Sequence, residues 1–239
     1  MPEGIYAAAA GMAADQARLD AVANDLANVN TDGYKKQRLG FRDLVYGQRG
    51  TKVWIGSGAA AVDAGRDFSA GALRQTDSPL DLAIDGPGFF RVKRADGSIA
   101  LTRAGSFRLD GSGRFVTANG ELLDPPLTLP KGASAADVTV AADGTVTVKG
   151  TKLGQLQTVD VPAPAGLQPV GDSLYVATAA SGAAAPDAST VQQGVLEASN
   201  VDVAQAMTDL IDAQRSYSLA SRVIQTQDQM LQIADDIRR

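Results

Sequence analysis

Apolar residues recur at every seventh position at both ends of the chain. Ile5, Met12, Leu19 and Leu26 form the first series, and Ala8, Val22 and Val29 fill the position three later, interrupted only by Asp15. That spacing lines one face of a helix. Pro2 suits a first helical turn and Glu3 complements the helix dipole there, while Asn30-Thr31-Asp32-Gly33 ends the run, Gly33 being free to take a left-handed cap. The far end repeats the design. Val203, Leu210, Tyr217, Ile224 and Leu231 recur by sevens, with Ala206, Ala213, Ala220 and Ala234 as companions and Gln227 as the exception. Ser199 or Asn200 is the expected cap, Asp202 adds charge to the first turn, and no Pro or Gly follows between Val195 and Arg239. One large residue per heptad beside alanines predicts a coiled coil or closely packed helices.

Between the helices the period changes to two. Phe89 to Arg94 and Ile99 to Arg103 flank Asp96-Gly97; Ser106 to Leu109 and Arg114 to Thr117 flank Asp110-Gly111; Val138 to Val140 and Val146 to Val148 flank Asp143-Gly144. Asp-Gly between alternating runs is a strong hairpin signal. The fold class that follows is α+β: long terminal helices forming a coiled-coil-like core, with a central antiparallel all-β domain. The expected boundaries are a helix over 1–32, an extended or loop segment over 33–65, the β domain over 66–178, a mobile linker over 179–194 and a helix over 195–239.

Composition removes much chemistry. The 239 residues include no His and no Cys, which excludes His-dependent nucleophilic triads, thiolate zinc sites, iron–sulfur ligation and disulfides. No metal, cofactor or catalytic residue is expected. No apolar run approaches the ~18 residues that span a bilayer, and the start lacks the basic region of a secretory leader. Charge is uneven. Residues 1–32 hold five acids against one Arg, and residues 199–239 hold six Asp against four Arg. Residues 33–54 hold Lys35, Lys36, Arg38, Arg42, Arg49 and Lys52 against Asp43 alone. That basic run reads as a solvated loop, with contact to acidic helices across a subunit boundary as the alternative.

Several blocks carry a resemblance. Ala23-Asn24-Asp25-Leu26-Ala27-Asn28-Val29-Asn30-Thr31-Asp32-Gly33-Tyr34-Lys35 is similar to the N-terminal signature of the bacterial flagellar axial family of rod and hook proteins, departing from it at Asp25, where the family usually has Asn. Ile84-Asp85-Gly86-Pro87-Gly88-Phe89-Phe90 and Thr102-Arg103-Ala104-Gly105-Ser106-Phe107 resemble its central motifs. Gly194-Val195-Leu196-Glu197-Ala198-Ser199-Asn200-Val201, Gln214-Arg215-Ser216-Tyr217 and Asp228-Gln229-Met230-Leu231 resemble its C-terminal region. The blocks span nearly the whole chain in family order.

The resemblance implies a structural subunit of the flagellar basal-body rod that self-assembles into a hollow helical tube and transmits torque from motor to hook. It implies copies of itself, neighbouring rod and hook subunits, the flagellar export apparatus, and surrounding ring proteins or cell wall as partners, without nucleic acid and without a membrane span. Export would proceed without a cleaved signal peptide. The expected self-assembly interface comprises Ile5, Met12, Leu19, Val22, Asn24, Leu26 and Asn28 with Val203, Leu210, Arg215, Tyr217, Ile224 and Leu231; Lys35, Lys36 and Arg38 mark the segment after the first helix. Within the family, the C-terminal blocks favour a distal rod position, whereas the short stretch from Tyr46 to Gly56 suits a proximal one.

Weaker signals point elsewhere. Gly56-Ser57-Gly58 loosely imitates a dinucleotide fingerprint but lacks a following helix, and Asp110-Gly111-Ser112-Gly113 lacks the oxygen ligands of a calcium loop. Aromatics interleaved in the basic run imitate a nucleic-acid binder, against a net charge of −5. A carbohydrate-active β-domain enzyme would need an acidic pair, one member with a raised pKa; Asp77, Asp81 and Asp85 are the spaced carboxylates available.

Overall fold

The computed structural model describes residues 3–44, 46–49, 53–56 and 58–237; Pro2 and Lys52 lie outside these, as does the side chain of Leu231. The chain divides into two compact units: Met1–Ala27, Gln37–Ala64 and Asp202–Arg239 form one, and Asn28–Lys36 with Gly65–Val201 form the other.

In the first unit, helix α1 runs over Glu3–Ala27 and helix α2 over Val203–Ile237. At 1.5 Å per residue they reach about 37 and about 52 Å. They pack together, with Arg18 Nη2 lying 3.4 Å from Asp209 Oδ1. The enclosed residues of α2 are spaced alternately by four and three: Ala206, Leu210, Ala213, Tyr217, Ala220, Ile224 and Gln227, with the alanines at 206 and 213 the most deeply buried. Small side chains lie deepest because they permit the closest helix approach. Val203, at the head of the expected series, is exposed. On α1, Ala14, Ala21, Val22 and Asp25 are buried, while Ile5, Met12, Leu19 and Leu26 are half-covered.

Asp202 caps α2, its Oδ1 accepting the Ala204 and Gln205 amides at 2.8 and 3.1 Å. The helix therefore starts after the expected cap, and Ser199 and Asn200 serve elsewhere. Val195–Glu197, assigned to the helix on sequence, is a strand paired with Leu73–Gln75. β-branched and acidic residues here pair with another strand because a long-range partner is available, which outweighs weak local helix propensity. The 179–194 linker differs from expectation for the same reason, and the extended segment over 33–65 is paired. The 33–65 stretch contains strand Gln37–Asp43 and most of its partner Ala59–Arg66, and the 179–194 linker contains Ala185–Pro186 and Thr190–Gln193, the latter pairing with Leu82–Asp85. Asp25, the departure from the signature, accepts the Gln37 amide at 3.1 Å through Oδ1 and so fixes the start of its strand.

The second unit is largely antiparallel β. Its main sheet runs in the order Gln168–Gly171, Leu174–Val176, Ile99–Thr102, Phe89–Lys93, Leu122–Leu123, Phe115–Val116, Arg108–Leu109, with Thr158–Asp160 also pairing to Phe89–Lys93. All three Asp-Gly turns form as expected. In each, the Asp carboxylate accepts an amide two residues on: Ser98, Ser112 and Thr145. Alternation then sorts side chains by face. Phe90, Val92, Phe107, Phe115, Leu123 and Val146 enter one core, where the rings of Phe90 and Phe107 meet edge to face at 5.3 Å. Phe89, Leu101, Val159 and Tyr175 enter a second on the other face, closed by Phe68. Burial pushes the Tyr175 hydroxyl up to about 12.

Candidate functional site: a buried ionic clasp

The segment leaving α1 and the segment entering α2 meet inside the second unit. Gly33, at the end of the α1 signature, takes φ +68°, and its amide donates to the Glu197 carbonyl at 2.8 Å. Two residues on, Lys35 is fully buried. Its Nζ lies 2.5 Å from Glu197 Oε1 and donates to the Ser69 carbonyl at 2.7 Å. Glu197 Oε1 also accepts the Gly71 amide at 2.9 Å, and Oε2 faces Arg103 Nη1 at 3.4 Å. Arg103 is itself buried, donates to the Gly86 carbonyl at 2.8 Å and sits 5.1 Å from the centroid of the Phe89 ring. Asn200 completes the arrangement. Its Oδ1 accepts the Lys36 amide at 2.8 Å, and its Nδ2 donates to the Asp67 carbonyl at 2.7 Å.

Two buried cations share one carboxylate. Burial lowers the pKa of Lys35 from its ordinary value, with the Glu197 hydrogen bond and charge opposing the shift; the same balance lowers Arg103. Taking ions out of water is costly, so the cluster is tolerable because hydrogen bonds saturate most of it. Arg103 Nε is the exception and has no protein partner. The surrounding backbone approaches closely. A Cβ on Gly33 would lie 2.4 Å from the Ala104 nitrogen, and one on Gly71 would lie 2.0 Å from the Ala198 oxygen.

Four of the sequence blocks converge here. Gly33 and Lys35 come from the first, Gly86 and Phe89 from the second, Arg103 and Ala104 from the third, and Glu197 and Asn200 from the fourth. Sequence reasoning marked the blocks but missed the roles of Glu197, Arg103 and Asn200. Their membership of the blocks was the available signal. Lys35 corrects the reading of the basic run as solvated or facing acidic helices, because its charge is satisfied within its own unit. Lys36 is half-buried, its amide held by Asn200, and Arg38 is exposed on its strand.

The remaining candidate residues are dispersed. Leu210, Tyr217 and Ile224 lie half-covered on the α2 seam, whereas Val203 and Arg215 are exposed. Asn24 is exposed on α1; Asn28 is half-buried and its Oδ1 accepts the Thr31 hydroxyl at 3.2 Å. Among the described residues no group of His, Cys, Asp or Glu is arranged to hold a metal ion, and no helix is long and apolar enough to cross a membrane. An open groove of about 570 Å³ includes Asp143 and Asp187. Hydrogen bonds from the Thr145 amide and the Ser189 hydroxyl respectively are the leading causes that hold these carboxyls below the usual range. A glycosidase acid needs the opposite shift.

Comparison with known proteins covers the same blocks. The family described as flagella basal body rod protein matches residues 5–35. That of the flagellar hook protein FlgE/F/G D1 domain matches 83–148, and the flagellar basal body rod FlgEFG protein C-terminal family matches 192–237. The flagellar basal-body rod protein FlgG of Caulobacter vibrioides is 38% identical, over 99% of both chains. The proteins of that name from Borreliella burgdorferi and Agrobacterium fabrum are 36% and 39% identical, over 100% and 95% of each chain.

Proposed function

The chain belongs to the flagellar basal-body rod protein family, and from that premise we infer how its parts build a rod. It is a structural subunit of the basal body, most like the distal rod subunit, and not an enzyme. In our reading α1 and α2 form a coiled-coil-like axial core, and copies stack through it into a hollow helical tube that carries torque from motor to hook. One observation carries this reading. Outside its seam, on the flanks and the far side, α2 leaves Met207, Ile211, Leu219, Val223, Met230 and Ile233 exposed. A helix with large apolar residues left outside its packed seam needs further partners to cover them. Non-closing contacts between such faces extend into a filament rather than a ring. The seam residues Ile5, Met12, Leu19, Val22, Leu26, Leu210, Tyr217 and Ile224 would then hold the core together; Val203, Arg215 and Asn24, being exposed, would face neighbouring copies, and Asn28 would sit at the helix exit.

Partners follow from position in such a tube: neighbouring rod and hook subunits along the axis, ring proteins or cell wall around it, and the export apparatus that delivers the chain. The test is assembly. Ile211→Asp combined with Leu219→Asp is expected to abolish polymer in sedimentation and electron microscopy while leaving the β-unit's thermal transition in place. Polymer yield equal to wild type would sink the reading. Hydrogen exchange gives a second readout: helix amides are expected to slow on polymerisation while residues 80–160 stay protected throughout.

A further inference from the structure

We propose that Glu197, with Lys35 and Arg103, is a positioning residue for helix pairing: the clasp shortens the loop that α1 and α2 must close to find each other. Lys35 and Glu197 are 162 residues apart in sequence. Without the clasp, the strand pair Val195–Glu197 with Leu73–Gln75 still closes most of that span, leaving about 50 residues free, from Ala27 to Leu73 and from Glu197 to Asp202. With it, the free chain runs only from Ala27 to Gly33 and from Glu197 to Asp202, about 12 residues in all. The probability of closing a flexible loop falls as roughly the three-halves power of its length, so the clasp raises the local concentration of one helix about the other by up to about ninefold.

The geometry suits this task rather than generic stability. The bonds do not simply tie the β strands to each other. Gly33 to Glu197 and Lys36 to Asn200 tie the chain just after α1 directly to the chain just before α2, at 2.8 Å in both cases. Burial of the ion pair fixes their register, since a slip by one residue would strand a charge out of water. The pairing is a property of one chain; only its consequence, faster or more complete filament growth, rests on the axial reading above.

The first arm of the test leaves the clasp intact. The chain has no cysteine, so Gln16→Cys and Ser216→Cys, both at exposed helical positions, give clean spin-label sites. A Gly/Ser linker of about 36 residues is inserted between Val201 and Asp202, outside the clasp and ahead of the α2 cap. Paired and unpaired label distances are measured by double electron–electron resonance on the monomer, at the urea concentration where the parent pair is half open. If the clasp sets the loop, the insertion lengthens it about fourfold and the pairing ratio drops about eightfold. If the strand pair alone sets it, the same insertion changes the ratio only about twofold, and that result overturns the proposal. Glu197→Gln in the parent chain is expected to lower the ratio by up to about ninefold, and unchanged pairing in a folded Glu197→Gln protein would also overturn it. Polymer formation is scored separately, so a monomer that pairs as expected but never assembles counts against the axial reading alone.

Discussion

Glu197→Ala is expected to destabilise the β unit by about 3–5 kcal/mol, because it leaves two buried cations, Lys35 and Arg103, without their carboxylate. Lys35→Met is expected to cost distinctly less. Arg103 still faces Glu197, the Gly71 amide still donates to it, and the methionine fills most of the lysine volume. Chemical denaturation followed by near-ultraviolet circular dichroism checks the order; equal losses for the two variants would mean that the carboxylate is not the hub. The pH dependence has a definite sign. Burial lowers the Lys35 pKa below its ordinary 10.5, so between the lowered value and 10.5 the folded chain sheds that proton while the unfolded chain keeps it. The unfolded state then binds more protons, and this group's contribution makes stability rise with pH across that window. Lys35→Met should remove that rise. A wild-type contribution that falls with pH there would contradict the assigned desolvation.

Gly33→Ala is expected to be comparably damaging although it adds a single methyl. The left-handed φ of +68° costs an L-residue about 1–2 kcal/mol. The new Cβ would also lie 2.4 Å from the Ala104 nitrogen and 2.6 Å from the Arg103 carbonyl carbon, which is backbone and cannot rotate away. The strand and the clasp must separate, taking the Gly33–Glu197 hydrogen bond with them. Gly97→Ala is the control. It has a similar φ, +83°, but open space around the Cβ position, so only the dihedral cost of about 1 kcal/mol applies. Thermal melts of the two variants should differ by several degrees, with Gly33→Ala the lower. Equal melting temperatures would show that the close approach at Ala104 relaxes freely.

Local devices were the easiest to read. Each Asp-Gly hairpin needs only a few consecutive residues, and each formed where expected, its carboxylate closing its own turn. Both long helices were visible through their apolar period. The α2 boundary was not, since Val195–Glu197 becomes a strand by virtue of Leu73–Gln75, more than a hundred residues earlier in the chain. Ala185–Pro186 was hidden in a stretch of Ala, Ser, Gly and Pro, and Thr190–Gln193 in the linker beside it, for the same reason: their partners, Thr158–Asp160 and Leu82–Asp85, are remote in sequence.

The sequence by itself determined the α+β class, the heptad helices, the hairpins and, through its blocks, the family resemblance, because these depend on short-range periodicity and on residue strings that survive in order. Only the tertiary structure decided what Lys35 does. A lysine in a run of basic residues is by default a solvated one, since charge is normally too costly to bury. It becomes a core residue here because Glu197, Arg103, Ser69 and Gly71 are delivered from three other parts of the chain to one point. No window of sequence contains that coincidence, and folding of the whole unit is what creates it.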